Sequence, residues 1–211
     1  MQDDVVAFRE KCFDCNRPMS SCLCKMIRPI ETKTEFIIII HPKEFRKIKN
    51  NTGRLTQLSL PNSQMMMGID FSEDTKVNAL INDPKRRCYL LYPNESSVNI
   101  SEEALLHDEK INTIFLIDAT WPSARKIVRL SHNIRNLPTV SFTYTKSSIY
   151  EIKRQPNAYC LSTMEATLVV LDALAKNGDE LITQSQLAGF LDPFKAMISY
   201  QKSFLKEPRY K

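Results

Sequence analysis

Glycine is scarce in this sequence. Only four of the 211 residues are glycine, at positions 53, 68, 178 and 189. Walker-type phosphate loops and the G-x-G-x-x-G dinucleotide fingerprint both need clustered glycines, because their backbones must approach phosphate groups closely. The wide spacing of these glycines excludes both motifs, and with them an open Rossmann nucleotide site of the usual kind.

Long apolar runs are absent as well. The longest run, Phe36 to Ile40, has the length of a strand rather than of a membrane span. The first residues, Met1 to Asp4, lack the basic and apolar regions of a signal peptide. We therefore expect a cytoplasmic, soluble protein with no membrane partner and no evident obligate protein partner. The net charge of +5 permits a polyanionic partner without requiring one.

A cluster of cysteines occupies the N-terminal segment. Cys12, Cys15, Cys22 and Cys24 follow the pattern C-x2-C-x6-C-x-C. Four thiolates at this spacing can close a tetrahedral zinc site, which would be structural because it has no open coordination position. Two disulfides or free thiols are the alternatives, and the expected cytoplasmic location disfavours disulfides. The sequence predicts a zinc knuckle over residues 1–30 and one larger domain over residues 31–211.

Predicted strands and helices alternate along the rest of the chain. Strands are predicted at Phe36–Ile40, Gln64–Gly68, Tyr89–Tyr92, Asn112–Ile117 and Leu137–Phe142, and helices at Val77–Ile81, Ser101–Glu109 and Ser162–Lys176. Such alternation indicates an α/β domain with a mostly parallel sheet.

The central predicted strand ends in a carboxylate, Asp118. Open α/β sheets bind ligands at the carboxyl ends of their strands, so Asp118 is a candidate functional residue. Pro122 suits the first position of the helix that follows. The alternative role of Asp118 is to cap that helix. Cations recur on one predicted face of the helix, at Arg125, Arg129 and His132.

Two further segments have both a functional and a structural interpretation. Asn51 to Arg54 contains one glycine and could hold a phosphate or carboxylate, but a lone glycine also fits a simple turn between helices. Ser162 and Glu165 have the spacing of a capping box. The N–H groups at this helix start could bind a ligand carboxylate, or the box could serve only as a cap.

Four separated segments, in order over residues 12 to about 175, resemble the DTW-domain proteins. The segments are Cys12-x2-Cys15-x2-Pro18-x3-Cys22-x-Cys24, His41-Pro42-x-Glu44 with Asn51-Thr52-Gly53-Arg54-Leu55, Asp118-x-Thr120-Trp121, and Ser162-Thr163-x-Glu165-Ala166. One departure is Ala119, where many members have glycine. The resemblance implies a knotted, SPOUT-like Rossmannoid α/β domain with the knot near Ser162.

The resemblance also implies an activity, that of a tRNA-uridine aminocarboxypropyltransferase. Such an enzyme transfers the 3-amino-3-carboxypropyl group of S-adenosyl-L-methionine to the imide nitrogen of a uridine in tRNA and releases methylthioadenosine. An imide N–H is a weak acid, so Asp118 is the expected catalytic base. The expected donor-binding residues are Asp118, Thr120, Trp121, Arg154, Leu161, Ser162, Thr163, Glu165 and Ala166. The expected tRNA-binding residues are Asn51, Thr52, Arg54, Arg125, Lys126 and Arg129.

Two other functions compete with this expectation. A SPOUT-like RNA methyltransferase would use the same fold and donor but would leave adenosylhomocysteine. A non-catalytic, zinc-containing RNA-binding module would keep the cysteines and the basic surface. Asp118 argues against such a module, because a carboxylate beside a polyanion weakens binding.

Overall fold

The computed structural model describes residues 10–47, 51–106, 108–150 and 160–205. The strands are β1 (Glu35–Ile40), β2 (Ser63–Met67), β3 (Arg86–Leu91), β4 (Val98–Asn99), β5 (Ile111–Asp118) and β6 (Thr139–Ser141). The helices are α1 (Pro42–Lys47), α2 (Thr52–Ser59), α3 (Thr75–Ile81), α4 (Trp121–Leu130), α5 (His132–Arg135), α6 (Thr163–Lys176), α7 (Gln184–Phe190) and α8 (Asp192–Leu205). None of the described helices is both long and apolar enough to cross a membrane.

The strands form one six-stranded sheet in the order β2-β1-β5-β3-β6-β4. Every described pair of neighbouring strands is parallel, which confirms the predicted mostly parallel sheet. In the register of β1 with β5, Ile40 lies opposite Asp118. These two strands therefore end together at one edge of the sheet, where Asp118 lies.

Apolar side chains cover both faces of the sheet, as expected for parallel strands with helices on each side. On one face, Phe36 and Ile38 of β1 pack with residues of α2, α6 and α8. On the other, Ile37 and Ile39 pack with residues of α3 and α4. Because α2 and α6 lie on the same face and contact each other, both can begin beside the end of β5.

The N-terminal segment forms a tight hairpin. Lys11 and Pro18 make an antiparallel bridge, and the Cys12 N–H donates to the Arg17 carbonyl at 2.8 Å. Asn16 has a φ of 55°, a left-handed conformation that Asn tolerates better than most residues. Leu23, further along the segment, is buried in the same hydrophobic cluster as β1. The hairpin is thus packed onto the body of the protein.

Two predictions about helices are wrong. The predicted helix Ser101–Glu109 is replaced by turns over the described residues 101–106. The Ser101 hydroxyl accepts the Thr143 N–H at 3.1 Å, a contact with a distant part of the chain. The cationic face also ends before His132, because α4 stops at Leu130 and His132 begins α5. Between them, the buried Ser131 hydroxyl accepts the Phe71 N–H at 3.0 Å, which fixes the break.

Candidate active site

Asp118 joins the end of β5 to the starts of two helices. Its side chain is only 7% exposed. Oδ2 accepts the Gly53 N–H of α2 at 3.2 Å, and Oδ1 accepts the Thr163 hydroxyl of α6 at 2.6 Å. A longer contact of 3.4 Å joins the Thr52 hydroxyl to Oδ1. Segments far apart in the sequence therefore meet at one carboxylate.

The absence of a side chain at Gly53 allows this close approach. A Cβ at position 53 would lie 2.5 Å from Oδ2 of Asp118 and 2.8 Å from its Cγ. Asn51 caps α2 by accepting the Arg54 N–H at 2.8 Å, and its amide donates to the Glu44 carbonyl at 3.2 Å. The segment is thus a helix start that binds a carboxylate, and that carboxylate belongs to the protein itself.

Asp118 does not cap the helix that follows it, so that predicted alternative is wrong. The residue before α4 is Thr120, whose hydroxyl donates to the Ser123 hydroxyl at 3.0 Å. The carboxylate instead accepts hydrogen bonds from α2 and α6. Thr120 and Trp121 are both exposed beside the site, with Trp121 42% exposed.

The predicted capping box at the start of α6 is confirmed. Ser162 accepts the Glu165 N–H at 3.3 Å, and Glu165 accepts the Ser162 N–H at 2.9 Å. The Glu165 carboxylate also accepts the Ser148 hydroxyl at 2.9 Å and the Ile149 N–H at 2.8 Å. Glu165 is 3% exposed, so it is a buried tie between α6 and the loop before Tyr150.

The capping box uses two of the four N–H groups that a helix start leaves without a helical partner. Among the described residues, the N–H groups of Thr163 and Met164 make no hydrogen bond within the protein. Leu161 and Ala166 flank this helix start and are half-buried. Arg154, the remaining predicted donor-binding residue, lies outside the described residues. Thr163 is partly exposed and Met164 is fully buried, so Thr163 has the N–H group that an anion could reach.

No pattern in the sequence points to two buried residues near the site, Arg17 and Tyr150. Burial lowers the pKa of Arg17, and the nearby Cys15 and Tyr150 oppose that shift. Burial raises the pKa of the Tyr150 hydroxyl; the Arg17 charge opposes the shift and Asp118 adds to it. The Tyr150 ring packs edge-on against Phe194, with centroids 5.1 Å apart. Neither residue belongs to a periodic pattern, so only tertiary structure identifies them.

The four N-terminal cysteines form a compact cluster of thiols. The Sγ atoms of Cys12 and Cys24 are 3.6 Å apart, and those of Cys15 and Cys22 are 3.8 Å apart. All four Sγ atoms lie within 4.8 Å of one another, and none forms a disulfide. Backbone N–H groups of Cys15 and Asp14 lower the pKa of Cys12 to about 7. Burial raises the pKa of Cys24, so the four thiols do not all favour the thiolate form. The convergence of the four Sγ atoms is what lets the cluster hold a metal ion.

One predicted cation links the cysteine cluster to the active site, and the others are exposed. Arg54 Nε donates to the Asp14 carbonyl at 2.9 Å, which ties the hairpin to the first turn of α2. Arg125, Lys126 and Arg129 are exposed on α4, the helix that leaves the site. Asn51 and Thr52 are engaged in the α2 start, and Thr52 is buried.

Comparison with known proteins identifies the family. The chain is 32% identical to tRNA-uridine aminocarboxypropyltransferase 2 of Macaca fascicularis, a match that covers 92% of this chain and 64% of that protein. The Mus musculus protein of the same name is also 32% identical, with the same coverage. The tRNA-uridine aminocarboxypropyltransferase A of Arabidopsis thaliana is 29% identical, over 100% of this chain and 89% of that protein.

The chain thus spans a little under two thirds of the length of the macaque and mouse relatives, 64% in each case. No solved structure shows a significant match. Residues 9–202 match the DTW domain, which confirms the resemblance seen in the sequence motifs. The chain therefore belongs to the DTW domain family.

Proposed function

We propose that the protein transfers the 3-amino-3-carboxypropyl group of S-adenosyl-L-methionine to the imide nitrogen of a uridine in tRNA. The observation that supports this most is the meeting of separate DTW motif segments at one buried carboxylate, Asp118, which accepts from Gly53 and Thr163. The names of the relatives from macaque, mouse and Arabidopsis agree with this activity. A cytoplasmic location belongs to the same proposal.

The start of α6 fits the amino-acid part of the donor. A helix start binds carboxylates through its free N–H groups and its positive dipole end. Among the described residues, the N–H groups of Thr163 and Met164 make no hydrogen bond, and that of the partly exposed Thr163 is the one a donor could reach, because Met164 is fully buried. When bound, the donor would supply a sulfonium whose leaving group is already neutral. We propose that the rest of the donor site is lined by Thr120, Trp121, Leu161, Ser162, Ala166 and Arg154. Glu165 would hold the start of α6 in place through its hydrogen bonds.

Asp118 is the proposed general base. The uridine nitrogen gives its proton to the Asp118 carboxylate and forms a bond to the γ-carbon of the donor. The bond between that carbon and sulfur breaks at the same time, its electron pair stays on sulfur, and methylthioadenosine is released. The hydrogen bonds from Gly53 and Thr163 orient the carboxylate for this step. Orientation matters because attack at the γ-carbon, rather than at the methyl group, depends on placement of the reactants.

The basic residues beside the site form the proposed tRNA surface. Arg125, Lys126 and Arg129 are exposed on α4, and Arg54 stands at the start of α2. Guanidinium and ammonium groups bind the phosphate backbone, and phosphate contacts position a nucleic acid on a protein. Because Asn51 and Thr52 hold the α2 start, we assign them the role of positioning Arg54 for the tRNA.

Zinc is the metal that the cysteine cluster fits best. A tetrahedron with Zn–S bonds of about 2.3 Å has S···S edges of about 3.8 Å. The separations of 3.6 Å between Cys12 and Cys24 and 3.8 Å between Cys15 and Cys22 agree with that value. A closed set of four thiolates makes the site structural. We propose that this zinc knuckle occupies residues 1–30 and that residues 31–211 form the catalytic domain.

The knotted SPOUT-like topology is part of the same proposal. The knot would involve the chain between β6 and α6, where Glu165 ties Ser148 and Ile149 to the start of α6. Residues 151–159 of this connection lie outside the described residues. An experimental structure in which the connection runs past the sheet without threading would contradict the knot.

A product assay tests the proposed reaction directly. Purified protein is incubated with unmodified tRNA and S-adenosyl-L-methionine, and the nucleosides and small products are measured by mass spectrometry. We expect 3-(3-amino-3-carboxypropyl)uridine together with methylthioadenosine. Adenosylhomocysteine with a methylated nucleoside would indicate the methyltransferase instead. Binding of tRNA with no change in its nucleosides would indicate the non-catalytic module.

A further inference from the structure

Phe13 is an aromatic side chain that makes almost no contact with the protein. It is 98% exposed. The turn that holds it is nonetheless well fixed, because the Cys12 N–H donates to the Arg17 carbonyl at 2.8 Å and the Asn16 N–H to the Cys12 carbonyl at 3.0 Å. The ring therefore projects from an ordered turn and contributes little to the packing of the protein itself.

A short series of contacts places Phe13 on the active-site side of the molecule. The next residue, Asp14, accepts the Arg54 Nε at 2.9 Å through its carbonyl. Arg54 follows Gly53, whose N–H donates to Asp118 at 3.2 Å. Trp121, three residues after Asp118, is another exposed ring beside the site, at 42% exposure.

Phe13 is isolated in the sequence from the other exposed apolar side chains of the N-terminal segment, Met19 and Met26. Its neighbours in the turn are Cys12 and the exposed, charged Asp14. The exposed charges of the segment are of both signs: Lys11, Lys25 and Arg28 against Glu10, Asp14 and Glu31. Charge therefore does not select the partner of this ring. A single exposed ring suits an unpaired nucleotide, because every base has a face on which an aromatic side chain can stack.

The proposed reaction itself creates a need for such a ring. The imide nitrogen of uridine lies on the Watson–Crick edge, so the target must be unpaired and displaced from its stack before it can react. The neighbouring base then loses a stacking partner. An exposed aromatic side chain near the site can replace that partner.

We propose that Phe13 stacks on a tRNA base next to the modified uridine. The inference rests on the proposed function and identifies a residue that binds the substrate beside the reacting nucleotide. Its physical consequence is specific: loss of the ring weakens tRNA binding without changing the number of phosphates that the protein neutralises. The dependence of binding on salt therefore stays the same, because that dependence reports the release of counterions from phosphates.

The test compares three variants of the full chain in tRNA binding without the donor. Phe13→Ala removes the ring and Phe13→Trp keeps an aromatic ring. The matched control is Leu181→Ala, which removes another highly exposed apolar side chain, at 85% exposure. Leu181 follows Glu180, whose carboxylate accepts the N–H groups of Lys33 and Thr34 just before β1. The control therefore lies near the start of β1, whereas Asp118 lies near its end.

We expect Phe13→Ala to weaken tRNA binding by roughly 10-fold, within the range for removal of one base-stacking side chain. Phe13→Trp and Leu181→Ala should bind as the parent protein does, with zinc content and salt slope unchanged in all variants. Equal binding by Phe13→Ala and Leu181→Ala would overturn the proposal, as would a Phe13→Trp variant as weak as Phe13→Ala. A change in oligomeric state on removal of Phe13 would identify the ring as a protein contact and also overturn it.

This binding experiment remains interpretable if the proposed reaction fails. A parent protein that binds tRNA but transfers no group would contradict the proposed function, while the comparison at Phe13 would stand. Conversely, normal transfer with equal binding by all variants would contradict only the stacking role.

Discussion

Asp118 has an observed structural role and a proposed catalytic role, which a single substitution can separate. Asp118→Asn keeps the size of the side chain but cannot accept a proton, so we expect transfer to fall by roughly 10²-fold or more, as for loss of a general base. The amide oxygen can still accept the Gly53 N–H, and the amide NH2 can donate to the Thr163 hydroxyl, which can accept as well as donate. In the parent protein these two groups donate to the carboxylate at 3.2 Å and 2.6 Å. Single-turnover assays measure the loss of transfer.

Binding and stability measurements give the control for this variant. Donor and tRNA affinities should stay near those of the parent protein, and the free energy of unfolding should fall by about 1 kcal/mol, because hydrogen bonds to a charged carboxylate become weaker bonds to a neutral amide. If turnover is nearly normal, Asp118 is a structural tie and another group takes the imide proton.

A substitution at Gly53 tests the importance of its close contact with the Asp118 carboxylate. In Gly53→Ala the new methyl group would lie 2.5 Å from Oδ2 of Asp118, so either the carboxylate or α2 must move. Alanine favours a helix by up to about 1 kcal/mol over glycine, but this gain is smaller than the cost of such a contact. We expect a large loss of transfer with tRNA binding largely retained, measured by the same two assays.

A matched control for Gly53→Ala is Gly178→Ala. Gly178 has a φ of +83° and no atom within 4 Å of a would-be Cβ. Its replacement should therefore lower stability by about 1–2 kcal/mol through backbone strain alone, with transfer unchanged. Equal effects of both substitutions on transfer would show that the Gly53 contact with Asp118 does not matter.

At the level of single elements, the sequence predicted contacts between neighbouring residues well, but it did not predict contacts with distant parts of the chain. The capping box of α6 follows from Ser162 and Glu165 alone, because it is formed within four residues. That the same Glu165 carboxylate binds Ser148 and Ile149 depends on a loop far away in the chain. Ser101, where a helix was predicted and turns are observed, likewise has a distant partner, because its hydroxyl accepts the Thr143 N–H.

Glu165→Gln tests whether this tie positions the donor site. The amide has only one accepting oxygen, so it cannot hold Ser148, Ile149 and the Ser162 N–H as the carboxylate does. We expect the free energy of unfolding to fall by about 1–3 kcal/mol and the affinity for S-adenosyl-L-methionine to fall with it. Denaturant unfolding and calorimetry measure the two quantities.

A second capping box in the protein supplies the control. In α7, Thr183 and Gln186 form the same reciprocal pair, and both residues are away from Asp118. Gln186→Ala should lower stability by less than about 1 kcal/mol and leave donor affinity unchanged. If Glu165→Gln also leaves donor affinity unchanged, its role is confined to capping.

At the level of the whole molecule, alternation of elements could be predicted, whereas their arrangement could not. The apolar runs Phe36–Ile40 and Asn112–Ile117 indicated buried parallel strands, as observed. Their adjacency in the order β2-β1-β5-β3-β6-β4 depends on long-range contacts that no local pattern encodes. For the same reason, the motif residues could be named from the sequence, but the contacts of Asp118 with Gly53 and Thr163 could not.

The basic surface gives a prediction about the whole substrate complex. Replacing Arg125, Lys126 and Arg129 with alanine should weaken tRNA binding and reduce the slope of log affinity against log salt by about 0.7–0.9 for each phosphate that the variant no longer neutralises. Lys110→Ala, which removes an exposed cation just before the opposite end of β5, serves as the control. An unchanged slope in the triple variant would place the tRNA on another surface.

Removal of the metal would test how the N-terminal segment affects the rest of the molecule. Without an ion, the bonds that would hold Cys12, Cys15, Cys22 and Cys24 together are lost, so the turn should loosen. The hydrogen bond between the Asp14 carbonyl and Arg54 is then no longer supported by the turn. If the segment detaches, Leu23 leaves the core cluster at a cost of about 1.5–3 kcal/mol.

We therefore expect a strong chelator to lower both stability and tRNA affinity while donor affinity is retained, because the N–H groups of Thr163 and Met164 belong to α6. Added zinc should restore both properties, and elemental analysis should find one zinc per chain before chelation. Cys88→Ala is the control for loss of a thiol: Cys88 lies outside the cluster, and burial raises its pKa to about 11. Zinc content and tRNA affinity should not change in that variant. A metal-free preparation that binds tRNA as tightly as the zinc-loaded protein would separate the cysteine cluster from substrate binding.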